Sequence, residues 1–156
     1  MEKGERNQQT SRAGEHFVAG ELNKRGSYAV TFAGNMPKID IIASNVERTR
    51  IVYIQVKTKR SGTWQTSIDL GRKIESKPKD ETSFWIFVDL CKYNESPKYW
   101  IVPNWWMINN IFEKHQNFLE RHGGSRPYAP ESKHHAITEK DISEWKDKWD
   151  LLGILK

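Results

Sequence analysis

The chain has 156 residues, 25 Lys and Arg against 20 Asp and Glu, and a net charge of +5 with histidine neutral. That length suits one compact domain able to bury about two-thirds of its unfolded surface. The single Cys91 excludes an intramolecular disulfide and a cysteine-based metal cluster, so the chain reads as cytoplasmic. No apolar run is long enough to cross a bilayer, and the polar start MEKGERNQQTSRAGEH is not expected to serve as a signal peptide. An aromatic content of 12%, with seven Trp, argues for a folded chain despite 29% charged residues.

In chain order, residues 1–9 are polar and expected to fray, which leaves 10–156 as the folded domain. Thr10 or Ser11 can cap a first helix that runs to about Arg25 and stops at Gly26. A strand over Tyr28–Phe32 follows. Gly34-Asn35 reads as a turn, and Pro37 precedes a second strand over Lys38–Ala43. Ser44–Arg50 is turn-like. Ile51–Lys59 is the clearest strand, rich in Ile and Val. Thr66–Leu70 is a candidate strand inside an ambiguous link. Ser83–Leu90 and Tyr99–Val102 are apolar strands, Asn104–Arg121 has helical spacing, and residues 122–136 read as loop. Thr138 and Asp141 resemble a capping box for a last helix with Ile142, Trp145, Trp149 and Leu152 on one face. The order predicts an α/β domain with a central mixed sheet flanked by helices.

Positive charge is concentrated. Between Arg48 and Lys79 lie nine basic residues against two acidic ones, Asp69 and Glu75. Such a segment on a nearly neutral body is either a solvated surface or the footprint of a polyanion partner. Lys59, Arg60, Arg72 and Lys73 are the candidate phosphate contacts.

Four polar residues interrupt apolar patterns. At about 100° per residue, Leu22 falls about 20° and Ala19 about 40° from Glu15, so Glu15 sits within the apolar stripe of the first helix. Either a cation or donor meets it there, or the helix is rotated and Glu15 sits favourably in its first turn. Asp40 interrupts the run Ile39-Asp40-Ile41-Ile42. In the strand Ile51–Lys59, Tyr53, Gln55 and Lys57 share one face and Val52, Ile54 and Val56 the other. A hairpin turning near Glu47-Arg48 places Asp40 opposite Gln55, with Cβ atoms about 5 Å apart. Such a cluster suits a hard cation, Mg²⁺ or Mn²⁺, with oxygen ligands from Asp40, Gln55 and the main-chain carbonyl of Val56. Glu15 is placed to hold a water on that cation, and Lys57 to orient or deprotonate an attacking water.

These residues resemble the PD-(D/E)xK nuclease superfamily, with its restriction-endonuclease-like and Holliday-junction-resolvase-like fold. Gly14-Glu15 through Gly26 is similar to the first helix of that family, Pro37-Lys38-Ile39-Asp40 to its metal-binding aspartate, and Gln55-Val56-Lys57 to its (D/E)xK element. The departure is Gln55, where the family usually has Asp or Glu. The resemblance implies a restriction-endonuclease-like core and a metal-dependent endonuclease acting on DNA, with RNA left open as substrate. It implies the catalytic set Glu15, Asp40, Gln55 and Lys57. A homodimer is compatible with cutting both strands of a duplex. Gln55 keeps a second expectation in play, a catalytically inactive nucleic-acid-binding or interaction module of the same fold.

Trp64, Tyr93 and Trp100 are candidates for base stacking. The spacing of Trp105, Trp145 and Trp149 favours packing in the core, and His134-His135 read as loop residues.

Overall fold

The structure, a computed structural model, describes residues 3–32 and 36–156. The described residues form seven strands and two α-helices in chain order: α1 (Lys3–Lys24), β1 (Tyr28–Thr31), β2 (Ile41–Ser44), β3 (Ile51–Lys59), β4 (Trp64–Ser67), β5 (Ser83–Asp89), β6 (Lys98–Pro103), α2 (Asn104–Arg121) and β7 (His134–Ile137). The main sheet has the order β1-β2-β3-β5-β6, and β4 pairs with β7 in a small second sheet. Within the main sheet only β3 and β5 are parallel. The fold class is the mixed α/β one that the sequence predicts.

Two hydrophobic layers follow from strand alternation. The even positions of β3, Val52 and Ile54, face α1 and pack with Val18, Leu22 and Ile41. Its odd positions face the other way. β5 is buried on both faces, which explains its unbroken apolar run. Phe84, Ile86 and Val88 join the α1 layer, while Trp85 and Phe87 join Met107 and Ile111 of α2. Trp64 and Ile137 of the small sheet close that second layer. Truncating a fully buried residue such as Ile54 or Met107 to Ala costs about 2–5 kcal/mol.

Several elements differ from the expectation. α1 begins at Lys3, not at Thr10, so Lys3–Gln9 are helical rather than frayed. The segment is rich in good helix formers, and Thr10 bonds back to the Arg6 carbonyl instead of capping. β2 starts at Ile41, because Lys38 adopts a left-handed conformation (φ 64). The expected turn at Gly34-Asn35 lies outside the described residues. The strand expected over Thr66–Leu70 is β4, ending at Ser67, followed by a 3₁₀ turn at Ile68–Leu70 that Ser67 caps. Residues 134–136, expected as loop, belong to β7, whose partner β4 lies some seventy residues earlier. The last helix is two 3₁₀ segments, Lys140–Trp145 and Trp149–Leu152. The edge strand β6 breaks it: Lys146 bridges to Trp100, and the Asp147 N–H bonds the Tyr99 carbonyl.

No described helix is long and apolar enough to cross a membrane.

Candidate active site

The site forms where β2 parts from β3. Their register pairs Ile41 with Ile54, and Asp40 lies just beyond it. The Asp40 N–H donates to the Ile54 carbonyl at 2.8 Å. Its side chain turns onto β3, where Oδ2 accepts the Val56 N–H at 2.7 Å. A strand amide left without a ladder partner is thus satisfied by a carboxylate. Oδ1 of Asp40 has no hydrogen-bond partner among the described residues.

Gly14 brings Glu15 to this corner. A Cβ on Gly14 would meet Thr58 Oγ1 at 1.8 Å, so only glycine lets the α1 backbone lie directly on β3. Glu15, one residue on, has a side chain only 15% exposed. Arg12 Nη1 donates to Glu15 Oε2 at 3.3 Å and to the Phe32 carbonyl at 3.1 Å. Burial raises the Glu15 pKa above the usual carboxylate value. The Asp40 charge raises it further, against the opposing pull of Arg12 and His16.

Lys57 approaches from the other face of β3. Its Nζ lies 6.0 Å from the centre of the Trp85 ring and forms no ion pair within 4 Å among the described residues. Burial lowers its pKa, and the Asp40 carboxylate opposes that fall. Asp40 therefore acts electrostatically on both Glu15 and Lys57. α1, with Glu15, packs on one face of the sheet and Lys57 projects from the other; each is within electrostatic reach of Asp40, but no hydrogen bond or ion pair joins Glu15 to Lys57 among the described residues. Gln55 lies on the Lys57 face, beside Tyr53, Arg72 and Trp85 in a cleft of about 660 Å³.

The expected site residues are divided among three clefts. Glu15 and Asp40 line the first, of about 1090 Å³. The second holds Gln55 and shares Pro37 with the first. Val56 and Lys57 line the third, of about 510 Å³, which shares Asn7 and Ser11 with the first.

The expected phosphate contacts divide. Lys59 is not free to meet a phosphate as expected: its side chain is 8% exposed and its Nζ is spent on Asp89 at 3.3 Å, Glu139 at 3.0 Å and the Gly62 carbonyl. A buried ammonium needs such partners, and it also lies 4.2 Å from the Trp64 ring centre. Lys73 is exposed and pairs with Glu75 at 3.3 Å. Arg72 lines the Gln55 cleft. Arg60 lines the Lys57 cleft and donates through Nε to Thr10 Oγ1 at 3.0 Å. Trp64 and Trp100 are core residues, 1% and 2% exposed, and cannot stack on bases, whereas Tyr93 is fully exposed. Arg12 and Trp85 also shape the site, and no sequence pattern marks them. The signal for Gly14 was legible: a glycine inside a helix, next to a carboxylate on the apolar stripe.

No protein-family model matches this chain. No curated protein matches it either. Among solved structures, it is similar over 94% of its length, and 98% of the other chain, to the Holliday junction resolvase Hjc of the archaeal hyperthermophile Archaeoglobus fulgidus, at 16% identity and a TM-score of 0.51. The fold is restriction-endonuclease-like. A second similar structure is the bacterial homing endonuclease I-Ssp6803I, at 13% identity, 92% and 89% coverage and a TM-score of 0.49. In the restriction-endonuclease-like fold of this chain, the corner holding Asp40 is formed by α1, β2 and β3.

Proposed function

We propose that this chain is a metal-dependent endonuclease that hydrolyses DNA phosphodiester bonds. The observation that carries the reading is the position of Asp40, pinned to the Val56 amide while its charge reaches both Glu15 and Lys57.

The donor set suits a hard divalent cation. The Asp40 charge raises the cost of ionising Glu15, and Asp40 Oδ1 is unspent among the described residues. Asp40, the Gln55 amide oxygen and the Val56 carbonyl would hold Mg²⁺ or Mn²⁺, with Glu15 acting through water. A cation held there supplies a Lewis acid that lowers the pKa of water and offsets charge on the phosphate. Lys57 Nζ orients the attacking water and, in the neutral form that burial favours, accepts the water's proton. The water oxygen forms the new bond to phosphorus as the bond to the leaving alkoxide breaks. Trp85 limits the freedom of the Lys57 chain.

Cleavage of supercoiled plasmid and of branched DNA in Mg²⁺ or Mn²⁺ tests this. Wild type should cut, and Asp40→Ala and Lys57→Ala should each lose about 10²-fold or more. Equal cutting by all three proteins would sink the assignment.

A second reading, a nucleic-acid-binding module without cleavage, is favoured by Gln55. Among the described residues no group of three His, Cys, Asp or Glu side chains is placed to hold a metal. Salt-sensitive DNA binding with no cutting in any divalent metal would select it.

A further inference from the structure

Between Gly4 and Arg12, α1 carries no apolar side chain. A helix polar on every side is not held by burial, and its sides are open to a polar partner. This stretch lies along the catalytic corner. Asn7, Ser11 and Glu15 recur at intervals of four and form one stripe that runs into the site. On one side of the stripe is the cleft of Glu15 and Asp40, which Glu5 also lines. On the other is the cleft of Lys57, lined by Arg6, Thr10, Arg60, Ser61 and Thr63 among others, and by no Asp or Glu among the described residues. The carboxylates Glu5, Glu15 and Asp40 share the side proposed for a cation with one base, Arg12, whereas the other side is cationic and hydroxyl-rich.

Arg60 is built into that second cleft. Its Nε is held by Thr10 Oγ1 at 3.0 Å, and the Thr10 hydroxyl is in turn held by the Arg6 carbonyl at 2.9 Å. Neither Nη atom of Arg60 has a hydrogen bond or ion pair among the described residues. The fork is oriented and unspent, which is the state suited to two parallel bonds with a phosphate. Arg6 is exposed and has no ion pair among the described residues. Lys59 contributes little charge here, being committed to Asp89 and Glu139.

We propose that the cleft between the first half of α1 and the β3–β4 turn is the track of the nucleic-acid backbone on one side of the scissile phosphate. Arg6 and Arg60 are its phosphate contacts, and Thr10 is the residue that positions Arg60. This rests on the nuclease reading of the Asp40 corner. It adds a second, separately testable surface and the direction in which the strand leaves.

The test measures affinity for a short DNA duplex over a range of monovalent salt, with Ca²⁺ in place of Mg²⁺ so that the probe is not consumed. Wild type, Arg6→Ala, Arg60→Ala, the double variant and Lys24→Ala are compared. Lys24 lies at the far end of α1, with its side chain 78% exposed. Each lost phosphate contact lowers the slope of log K against log salt by roughly 0.9. The expected result is a fall of about that size for each single variant, nearly twice that for the double, and no change for Lys24→Ala. Unchanged slopes for Arg6→Ala and Arg60→Ala overturn the track, as does an equal fall for Lys24→Ala. If wild type also cuts plasmid in Mg²⁺, the nuclease reading survives that result. Wild type that fails to bind DNA overturns both. Arg6 lies on an open helix side, so its variant keeps the test decisive should Arg60→Ala, which loses the Thr10 bond, fail to fold.

Discussion

Asp40 Oδ2 accepts the backbone N–H of Val56 at 2.7 Å. The bond ties the end of one strand to the middle of the next, and it holds the carboxylate where its charge reaches Lys57 and Glu15 from between them. The first prediction follows from that charge. Asp40 supports the Lys57 ammonium against the burial that lowers its pKa. In Asp40→Asn the Lys57 pKa should fall further, read by NMR titration of the Lys57 Cε and Hε signals. Lys57 binds its proton less tightly folded than unfolded, so it costs stability at neutral pH, and that cost fades as pH rises through its folded pKa toward 10.5. Asp40→Asn also removes the like charge beside Glu15, so the Lys57 titration, and not Tm, reads this pair. An unmoved Lys57 titration would show that the two groups do not interact.

Glu15 titrates in the opposite sense. Its folded pKa is raised, so the folded state is favoured by its protonation, and stability is lost as pH rises through that value. Glu15→Gln should raise Tm at pH 7 while cutting activity. The gain should vanish below the unfolded value of 4.5. A stabilised but less active variant is the expected pattern where like charges are held together for function.

Gln55→Glu adds a third carboxylate oxygen donor to the corner. Affinity of such a site rises with ligand charge. The Mn²⁺ concentration that half-saturates the protein, read by the metal-induced rise in Tm, should fall by about tenfold. No change would place Gln55 outside the metal shell.

Lys59→Met should behave as a stability variant and not as a DNA-binding one. It leaves Asp89, whose side chain is 14% exposed, without its cation. Removing one partner of a buried pair costs about 3–5 kcal/mol, read as a lower urea midpoint. The salt slope of DNA binding should not move.

Gly14→Ala puts a methyl group where Thr58 Oγ1 already stands. α1 must then lift from β3, at a cost of about 1–3 kcal/mol. Glu15 moves with it, so activity should fall more than the stability loss alone explains, as measured on protein that remains folded.

Much of this was legible locally. Alternation along Ile51–Lys59 places Gln55 and Lys57 on one face, and the short polar link after Ala43 sets the register that puts Asp40 at the Gln55 level. These depend on strand period and turn length, which neighbouring residues specify. The fate of the charged residues did not follow from such rules. Lys59 and Arg60 are adjacent and alike in sequence, yet one is buried against Asp89 and Glu139 and the other is open beside Lys57.

The sequence by itself determined the order of elements from α1 through α2, the two-faced character of β3 and β5, and the polar residues set into apolar patterns. Only the tertiary structure decided that β7 closes onto β4, that α1 continues to Lys3 beside the Lys57 cleft, and which cations remain unspent. The reason is physical: periodicity is set by backbone geometry within a few residues, whereas burial and pairing of a charge depend on groups that the chain brings from far away.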